Sequence, residues 1–432
     1  MSAGYAITTY KIQLNYKHLD WFKQTQSLFD AVLAFYYKLL EKQPEALSLT
    51  NQNLLRHLEL QTIKQRDGTP PETPLPFEKI PLYFRRAAIN AAISMYRSYV
   101  GKLKAWQEGP IKSGKPSPPK CLHMSMLYYK GMYKDFDEKS ILLKLYTGKA
   151  WAWVKHRYTG RPFPENAELM SPTIVIKKKK VMLHIPVKEI VKDSRTAKER
   201  VQQNEKFVAV ALTGSDSLAV CTTIEADGRA TAPYFIKGGK ELAHCRKLLL
   251  GYTKRGIAGK DTPRLMTHTV GNDALSVPQG HRPNAKYYEK ITRITDHYAH
   301  EVSRKIVDYA LKQGAKLIVL PKLKESFNQA KKPYLGKTPY DFIGRRIARY
   351  VQYKAWQKGL VAMTSKPYYT STRCYHCDDP IAKHSTEYQN PSANFYGGKN
   401  FICKKGHRGS TALNSARNLG KGFYERFYAE AA

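Results

Sequence analysis

Acidic residues are scarce in this sequence: 35 Asp and Glu stand against 72 Lys and Arg, a formal net charge of +37. A like-charge excess of that size repels itself and works against a compact state, so a polyanionic partner is expected, and nucleic acid is the usual one. Long apolar runs are missing as well. No stretch approaches the roughly 18–20 residues that span a bilayer, and Met1 to Tyr5 lack the apolar core of a signal peptide, so no membrane partner is expected. Cysteine is sparse, with six in all, at 121, 221, 245, 374, 377 and 403. Three are isolated and three cluster near the C-terminus, which argues against a disulfide framework and for metal binding in a reducing cytosol. Apolar content is ample, at 42% of 432 residues, enough for two or three domains with real cores. The 30 Tyr and 15 Phe suit both such cores and stacking on unpaired bases.

Periodicity along the chain outlines three blocks. Tyr5 to Tyr16 alternates apolar and polar residues, as a strand does. Asp20 is then an expected cap for a helix whose apolar positions Trp21, Leu28, Val32, Phe35 and Leu39 share one broad face. A polar loop around Gly68 to Pro76 leads to a second helical run, Pro81 to Trp106, which carries Arg85, Arg86, Asn90 and Arg97. After the Pro- and Gly-rich loop 109–120, β-branched and aromatic content predicts strands over 141–146, 150–158, 172–176 and 181–187. The four lysines 177–180 form a turn, for which a solvated hairpin tip and a phosphate contact both fit.

The third block begins at Phe207. FVAVALTGSDSLAVCTTIEADGRATAPYFI reads as three strands, with turns at Gly214 and at Asp227-Gly228. A helix follows, with Asn284 as its expected cap and Gly314 at its end. Next come a buried strand at 316–320, an amphipathic helix over 340–358 and a strand over 360–364. A strand meander followed by helix, strand, helix and strand suggests an RNase H-like α/β domain.

Arg373-Cys374-Tyr375-His376-Cys377 is a Cys-x-x-Cys knuckle, answered 26 residues after its second Cys by Cys403-Lys404-Lys405-Gly406-His407. Zinc takes four soft or borderline ligands in a tetrahedron, and two paired turns supply them without a large core. A redox CxxC is the competing reading, but the flanking thioredoxin-like pattern is absent. On spacing alone the fourth ligand is His407, His376 or none from the protein. Strain disfavours His376, which lies between two ligands.

TSTRCYHCDDP and FICKKGHRGSTALNSARNLG resemble the C-terminal zinc ribbon of TnpB and the small type V CRISPR effectors, where TSxxCxxCG is followed by CxxCGH and an Asp-x-Asn-Ala-Ala-x-Asn run. The approach from Tyr353-Lys354-Ala355-Trp356 to Pro367-Tyr368-Tyr369-Thr370-Ser371 matches the family's YKAE-G-PxYTS pattern. VAVALTGSDSLAV resembles the first RuvC strand, and IVDYALKQGAKLIVLPKL the helix and strand that usually end in Glu-x-Leu. The resemblance implies a multidomain α/β protein. A β-barrel (wedge) domain would take 1–17 and 110–205, with a helical recognition lobe (18–109) inserted. The RuvC-like domain would take 206–370 and 409–432, with the ribbon at 371–408. The shortened CKKGH lacks the family's fourth Cys, which assigns the fourth zinc position to His407.

The departures concern chemistry. RuvC cleavage needs three carboxylates holding two Mg²⁺ about 4 Å apart. Aligned on their neighbours, these positions hold Ala211, Pro321 and Ala412, none of which can ligate magnesium, so no catalytic Mg²⁺ and no nuclease activity are expected. The opposing reading, an active endonuclease with displaced acids, would draw on Asp216 and Glu325. The family implies a guide RNA and a target double-stranded DNA read beside a short flanking motif. By position, Arg85, Arg86, Asn90 and Arg97 are expected duplex contacts, and Arg345, Arg346 and Arg349 contacts to the heteroduplex backbone. The expected outcome is silencing by occupancy in the prokaryotic cytoplasm, at the nucleoid. The alternative is recruitment of a transposition or transcription partner. A homodimer on the RNA also fits the size of the chain.

Overall fold

A computed structural model describes residues 4–64, 68–109, 114–119, 121–165, 167–177, 179–213, 216–258, 284–323, 339–367, 369–383 and 399–428. The described residues fall into two compact units, one over residues 7–189 and the other over residues 4–6 with 190–428.

The first unit combines a curled sheet with three long helices. β1 (Tyr5–Leu14) is followed by α1 (Leu19–Lys42), α2 (Asn51–Thr62) and α3 (Leu82–Glu108). Then come β2 (Met126–Leu127), β3 (Tyr133–Lys134), β4 (Ser140–Tyr146), β5 (Trp151–Thr159), β6 (Glu168–Leu169), β7 (Thr173–Lys177) and β8 (Lys180–Ile190). The sheet runs β2-β7-β8-β1-β5-β4-β3, with β6 on β8, and forms a half-barrel whose ends do not pair among the described residues. Alternation sets its inner face: Val181, Leu183, Ile185 and Val187 of β8 are buried while their neighbours are only partly so. The helices close that face. Ala87, Ala88, Ala91 and Ala92 give α3 a small-residue flank beside the aromatic side of α1, and Phe29–Phe84 and Tyr37–Tyr96 meet edge-to-face at 5.4 and 5.5 Å. Helices and half-barrel therefore share one hydrophobic core.

Helix α1 departs from expectation at its start. Asp20 lies inside the first turn, the cap position is His18, and no side chain bonds the cap. The Asp20 carboxylate instead complements the positive end of the helix dipole.

The second unit begins with α4 (Ala197–Gln202) and the strands β9 (Phe207–Leu212), β10 (Ser217–Ile224) and β11 (Ala230–Lys237). Helices α5 (Gly239–Ala258) and α6 (Ala285–Lys312), strand β12 (Leu317–Pro321), helix α7 (Pro339–Gln357) and strand β13 (Val361–Ser365) follow. The sheet order is β11-β10-β9-β12-β13, antiparallel through the meander and parallel across β9, β12 and β13. This is the RNase H-like arrangement. One face carries Val208, Val210, Ile318 and Leu320 against α6 and α7. The other carries Phe207, Ala209, Leu317 and Val319 against α8 (Thr411–Phe427). Between β13 and α8 stands a three-stranded ribbon of β14 (Ile381–Lys383), β15 (Asn400–Cys403) and β16 (Arg408–Ser410).

Two helix ends show how local chemistry stops a helix. Gly314, at φ +66°, ends α6 in a Schellman motif, with Gly314 N–H donating to Leu311 O and Ala315 N–H to Ala310 O. At the other end Asn284 sits in the left-handed region and makes no cap bond. Its side-chain amide donates to Thr253 O at 3.1 Å, so tertiary contact overrides the capping expected from residue type.

Residues 190–205 pack in the second unit around Arg200, which is wholly buried. Its guanidinium donates to the carbonyls of Asp193, Arg195, Lys316 and Gly359 at 3.1–3.2 Å and faces Asp193 and Glu205.

Candidate functional site

Three positions converge at one end of the second unit's sheet. Ala211 lies near the end of β9 and Pro321 at the end of β12. The parallel register pairs Leu317 with Phe207, Ile318 with Val208 and Val319 with Ala209. The same offset carried two residues further sets Pro321 level with Ala211, on strands about 4.8 Å apart. Strand alternation turns both toward α8, the face of Ala209 and Val319. Helix α8 starts at that same end. Ala412 lines a cleft of about 250 Å³ with Asp216 and Ser217 at the start of β10, while Gly420, two turns on, packs over Ala209 and Ile224. An added Cβ at Gly420 would meet Ile224 Cδ1 at 2.6 Å, so glycine here is what lets α8 lie flat on the sheet.

Asp216, the acid that could stand in at this end, is already engaged. Lys240 and Lys399 approach its carboxylate at 3.1 and 3.0 Å, and their ammonium groups, Lys399 foremost, hold it below the usual carboxylate range. Glu325 lies outside the described residues. The cleft is otherwise lined by Phe235, Lys237, Asn400 and Ser410.

A candidate metal site belongs to the same unit. The ligand atoms of Cys374, Cys377, Cys403 and His407 all lie within 4.8 Å of one another. Cys377 Sγ is 3.6 Å from Cys403 Sγ, and His407 Nδ1 is 3.3 Å from Cys403 Sγ and 3.8 Å from Cys374 Sγ. A tetrahedral zinc with sulfur at about 2.3 Å has ligand–ligand edges of roughly 3.5–3.8 Å, so the cluster fits that ion. His376 stands outside the cluster, its ring 5.2 Å from that of His407. The site has a support that spacing did not reveal. Asn414 Oδ1 accepts from Tyr375 N–H at 2.9 Å, and Asn414 and Asn418 both donate to Arg373 O at 2.7 Å. These two α8 side chains latch the knuckle to the helix that carries Ala412.

The arginines named from sequence have varied surroundings. Arg85 and Arg86 both grip Glu59 at 2.8 Å, and Arg85 is largely buried with it. Asn90 donates to Tyr129 OH at 3.0 Å, and Arg97 donates to Asn51 Oδ1 and to the carbonyls of Leu47 and Leu49. The expected duplex-contacting row thus spends much of its hydrogen-bonding capacity inside the unit. Arg86, the more exposed of the Glu59 pair, retains open surface. Arg345, Arg346 and Arg349 line a hollow of about 450 Å³ with Asp296 and Tyr350. There Arg346 pairs with Asp296 at 2.7 Å and Arg349 lies over the Tyr350 ring. The first unit also holds a groove of about 1580 Å³ lined by Tyr16, Lys17, His18, Trp21, Lys139 and Lys155, among others. Among the described residues no helix is long and apolar enough to cross a membrane.

A half-barrel sharing its core with a helical lobe, an RNase H-like sheet and a Cys₃His ribbon latched to its last helix make up a multidomain α/β fold that also occurs among solved type V effectors. The Cas12f1-like TNB domain matches residues 345–419, and the Aq_aa04 family matches residues 6–147. The CRISPR-associated endodeoxyribonuclease Cas12f1 of Sulfoacidibacillus thermotolerans is 27% identical over 151 residues, 35% of this chain and 32% of that protein. A Cas12f1–sgRNA–target DNA complex superposes with a TM-score of 0.54 at 14% identity, covering 94% of this chain and 83% of the other. The mini-RNA-guided endonuclease CRISPR-Cas_phi3 gives 0.51 at 11% identity, covering 96% and 93%. In sequence over its C-terminal part, and in fold over most of its length, the chain is similar to the miniature type V effectors.

Proposed function

We propose that the chain is a nuclease-dead, RNA-guided protein that binds double-stranded DNA. It would open an R-loop at guide-matched targets beside a short flanking motif and silence them by occupancy. The observation that carries this reading is the meeting of Ala211, Pro321 and Ala412 at one sheet end, with no carboxylate among them and Asp216 held by two lysines. Without acidic ligands two magnesium ions cannot be gathered, and catalytic geometry tolerates about 1 Å of displacement badly.

Guide RNA and target DNA enter as partners by kinship with Cas12f1, and the charge of +37 supports a polyanion of that size. The wedge would be 1–17 with 110–205, of which 190–205 pack in the second unit, and the recognition lobe 18–109. The RuvC-like domain would be 206–370 with 409–432, and the ribbon 371–408. The 1580 Å³ groove offers lysines beside Tyr16 and Trp21, a pairing suited to RNA. Arg345, Arg346 and Arg349 supply forked donors for a heteroduplex backbone. Zinc, when bound by Cys374, Cys377, Cys403 and His407, supplies structural cross-linking of the ribbon.

The test incubates the RNA-loaded chain with matched duplex and Mg²⁺. A shifted band with both strands intact is expected, and guide-dependent fragments would refute the proposal.

A further inference from the structure

The cleft at the emptied end of the sheet has exchanged one sign of charge for the other. Lys237 ends β11, opposite Ser217 in the antiparallel register, and Lys240 opens α5. Lys399 is anchored by its own carbonyl, which accepts from Thr411 N–H at the start of α8, while its ammonium reaches across to Asp216. Two ammonium groups thus hold one carboxylate and Lys237 lines the same cleft, a formal excess of two positive charges where a nuclease concentrates acids. Phe235 stands two residues before Lys237, so both project from the same side of β11, and Phe235 is 42% exposed. Tyr234 and Ile236 face the opposite side, toward α6.

An exposed ring one strand-step from a lysine, in a cleft with two more, matches the needs of an unpaired nucleic-acid strand. A base stacks on the ring, and the adjoining phosphates meet ammonium groups. A divalent ion bridging to phosphate would have to share this space with Lys237, Lys240 and Lys399, whose charges repel it.

We propose that this cleft is a metal-independent clamp for a single nucleic-acid strand, in which Lys237, Lys240 and Lys399 hold phosphates in place of magnesium and Phe235 stacks a base. The inference rests on the nuclease-dead reading and adds a ligand and a binding mode to it. Asp216 then has a defined part. It tethers Lys240 and Lys399 in the absence of the strand and competes with phosphate for them.

The experiment uses the full chain, freed of copurified nucleic acid at high salt, with a strand of roughly 12 nucleotides carrying 5-bromodeoxyuridine. An RNA strand carrying 5-bromouridine is run in parallel. After irradiation, mass spectrometry maps the point of attachment. An adduct on Phe235 at equal yield in Mg²⁺ and in EDTA is expected. The arm that attaches distinguishes a DNA strand from an RNA strand as the natural occupant. K237A/K240A/K399A should lower the salt slope of binding by roughly two, about 0.7 per lost phosphate contact. Asp216→Asn should raise the adduct yield. Phe235→Ala, which leaves every charge in place, should abolish the adduct and weaken binding roughly tenfold even if the triple variant folds poorly. No adduct at Phe235 in either arm, an adduct that requires Mg²⁺, or a loss of binding in Asp216→Asn would overturn the clamp. Guide-dependent cleavage, by contrast, would strike the nuclease-dead reading, and the two failures are scored in separate reactions.

Discussion

Removing the Asn414 side chain should loosen the zinc knuckle without touching a metal ligand. Asn414 is 3% exposed and makes two hydrogen bonds to the knuckle backbone, accepting from Tyr375 N–H and donating to Arg373 O. In Asn414→Ala the two acceptor–donor pairs are not lost equally. Arg373 O still receives the amide of Asn418 at 2.7 Å, so only the Tyr375 N–H is orphaned. One lost bond at about 1 kcal/mol and one unsatisfied buried group at about 1–2 kcal/mol give a destabilisation of roughly 2–3 kcal/mol rather than double that. If zinc leaves through the unlatched knuckle, about 2 kcal/mol accelerates its transfer to a chromogenic chelator roughly thirtyfold. Asn414→Asp separates the two bonds. It keeps the acceptor for Tyr375 N–H but turns a second acceptor toward Arg373 O, so it should release zinc faster than wild type as well. Zinc transfer at the wild-type rate in Asn414→Ala would refute the latch.

Two further outcomes follow from packing and charge. Gly420→Val should destabilise the second unit by about 1–3 kcal/mol, read by chemical denaturation, because its Cβ would collide with Ile224 Cδ1 at 2.6 Å. An unchanged midpoint would mean α8 does not lie against β9 and β10. Burial raises the Glu59 carboxyl, but hydrogen bonds from Arg86 and Arg85 outweigh it and leave it below its ordinary value. A depressed carboxyl adds stability that is full above its unfolded pKa and fades as pH falls through the folded one. The first unit should therefore weaken below about pH 4.5. Glu59→Gln should be less stable at neutral pH and show a flatter acid limb, and parallel limbs would contradict the assignment.

What could be read beforehand depended on how local each signal was. The ribbon's ligands sit in two short turns, so spacing alone brought Cys374, Cys377 and Cys403 together, with His407 within reach. Gly314 was legible because a left-handed cap is a property of one residue and its two neighbours. Strand β1 emerged from period-two alternation, and most of the others from β-branched and aromatic runs bounded by turn residues. Asn284 does stand at the cap position of α6, but its side chain bonds Thr253 O instead of the helix, and Asp20 lies inside the first turn of α1, because capping propensity describes an isolated helix. Arg85 read as surface because its partner, Glu59, lies 26 residues earlier on another helix. Arg200 carried no signal at all, since its acceptors are backbone carbonyls at 193, 195, 316 and 359. The grouping of Lys237, Lys240 and Lys399 about Asp216 likewise appears only once β11, α5 and the ribbon share one corner.

The Lys399–Asp216 bridge also bears on reversibility. On the nuclease-dead reading, a descendant that gained an acid at 412 would set it in the cleft that Lys237 and Lys399 line, where Lys240 and Lys399 already hold Asp216. A cutting site at this corner would therefore require the basic residues to leave as well as acids to be placed there. Neither set of changes helps before the other is made. Such a corner behaves as a ratchet: on that reading, each lysine in it lengthens the mutational path to a site that could gather magnesium.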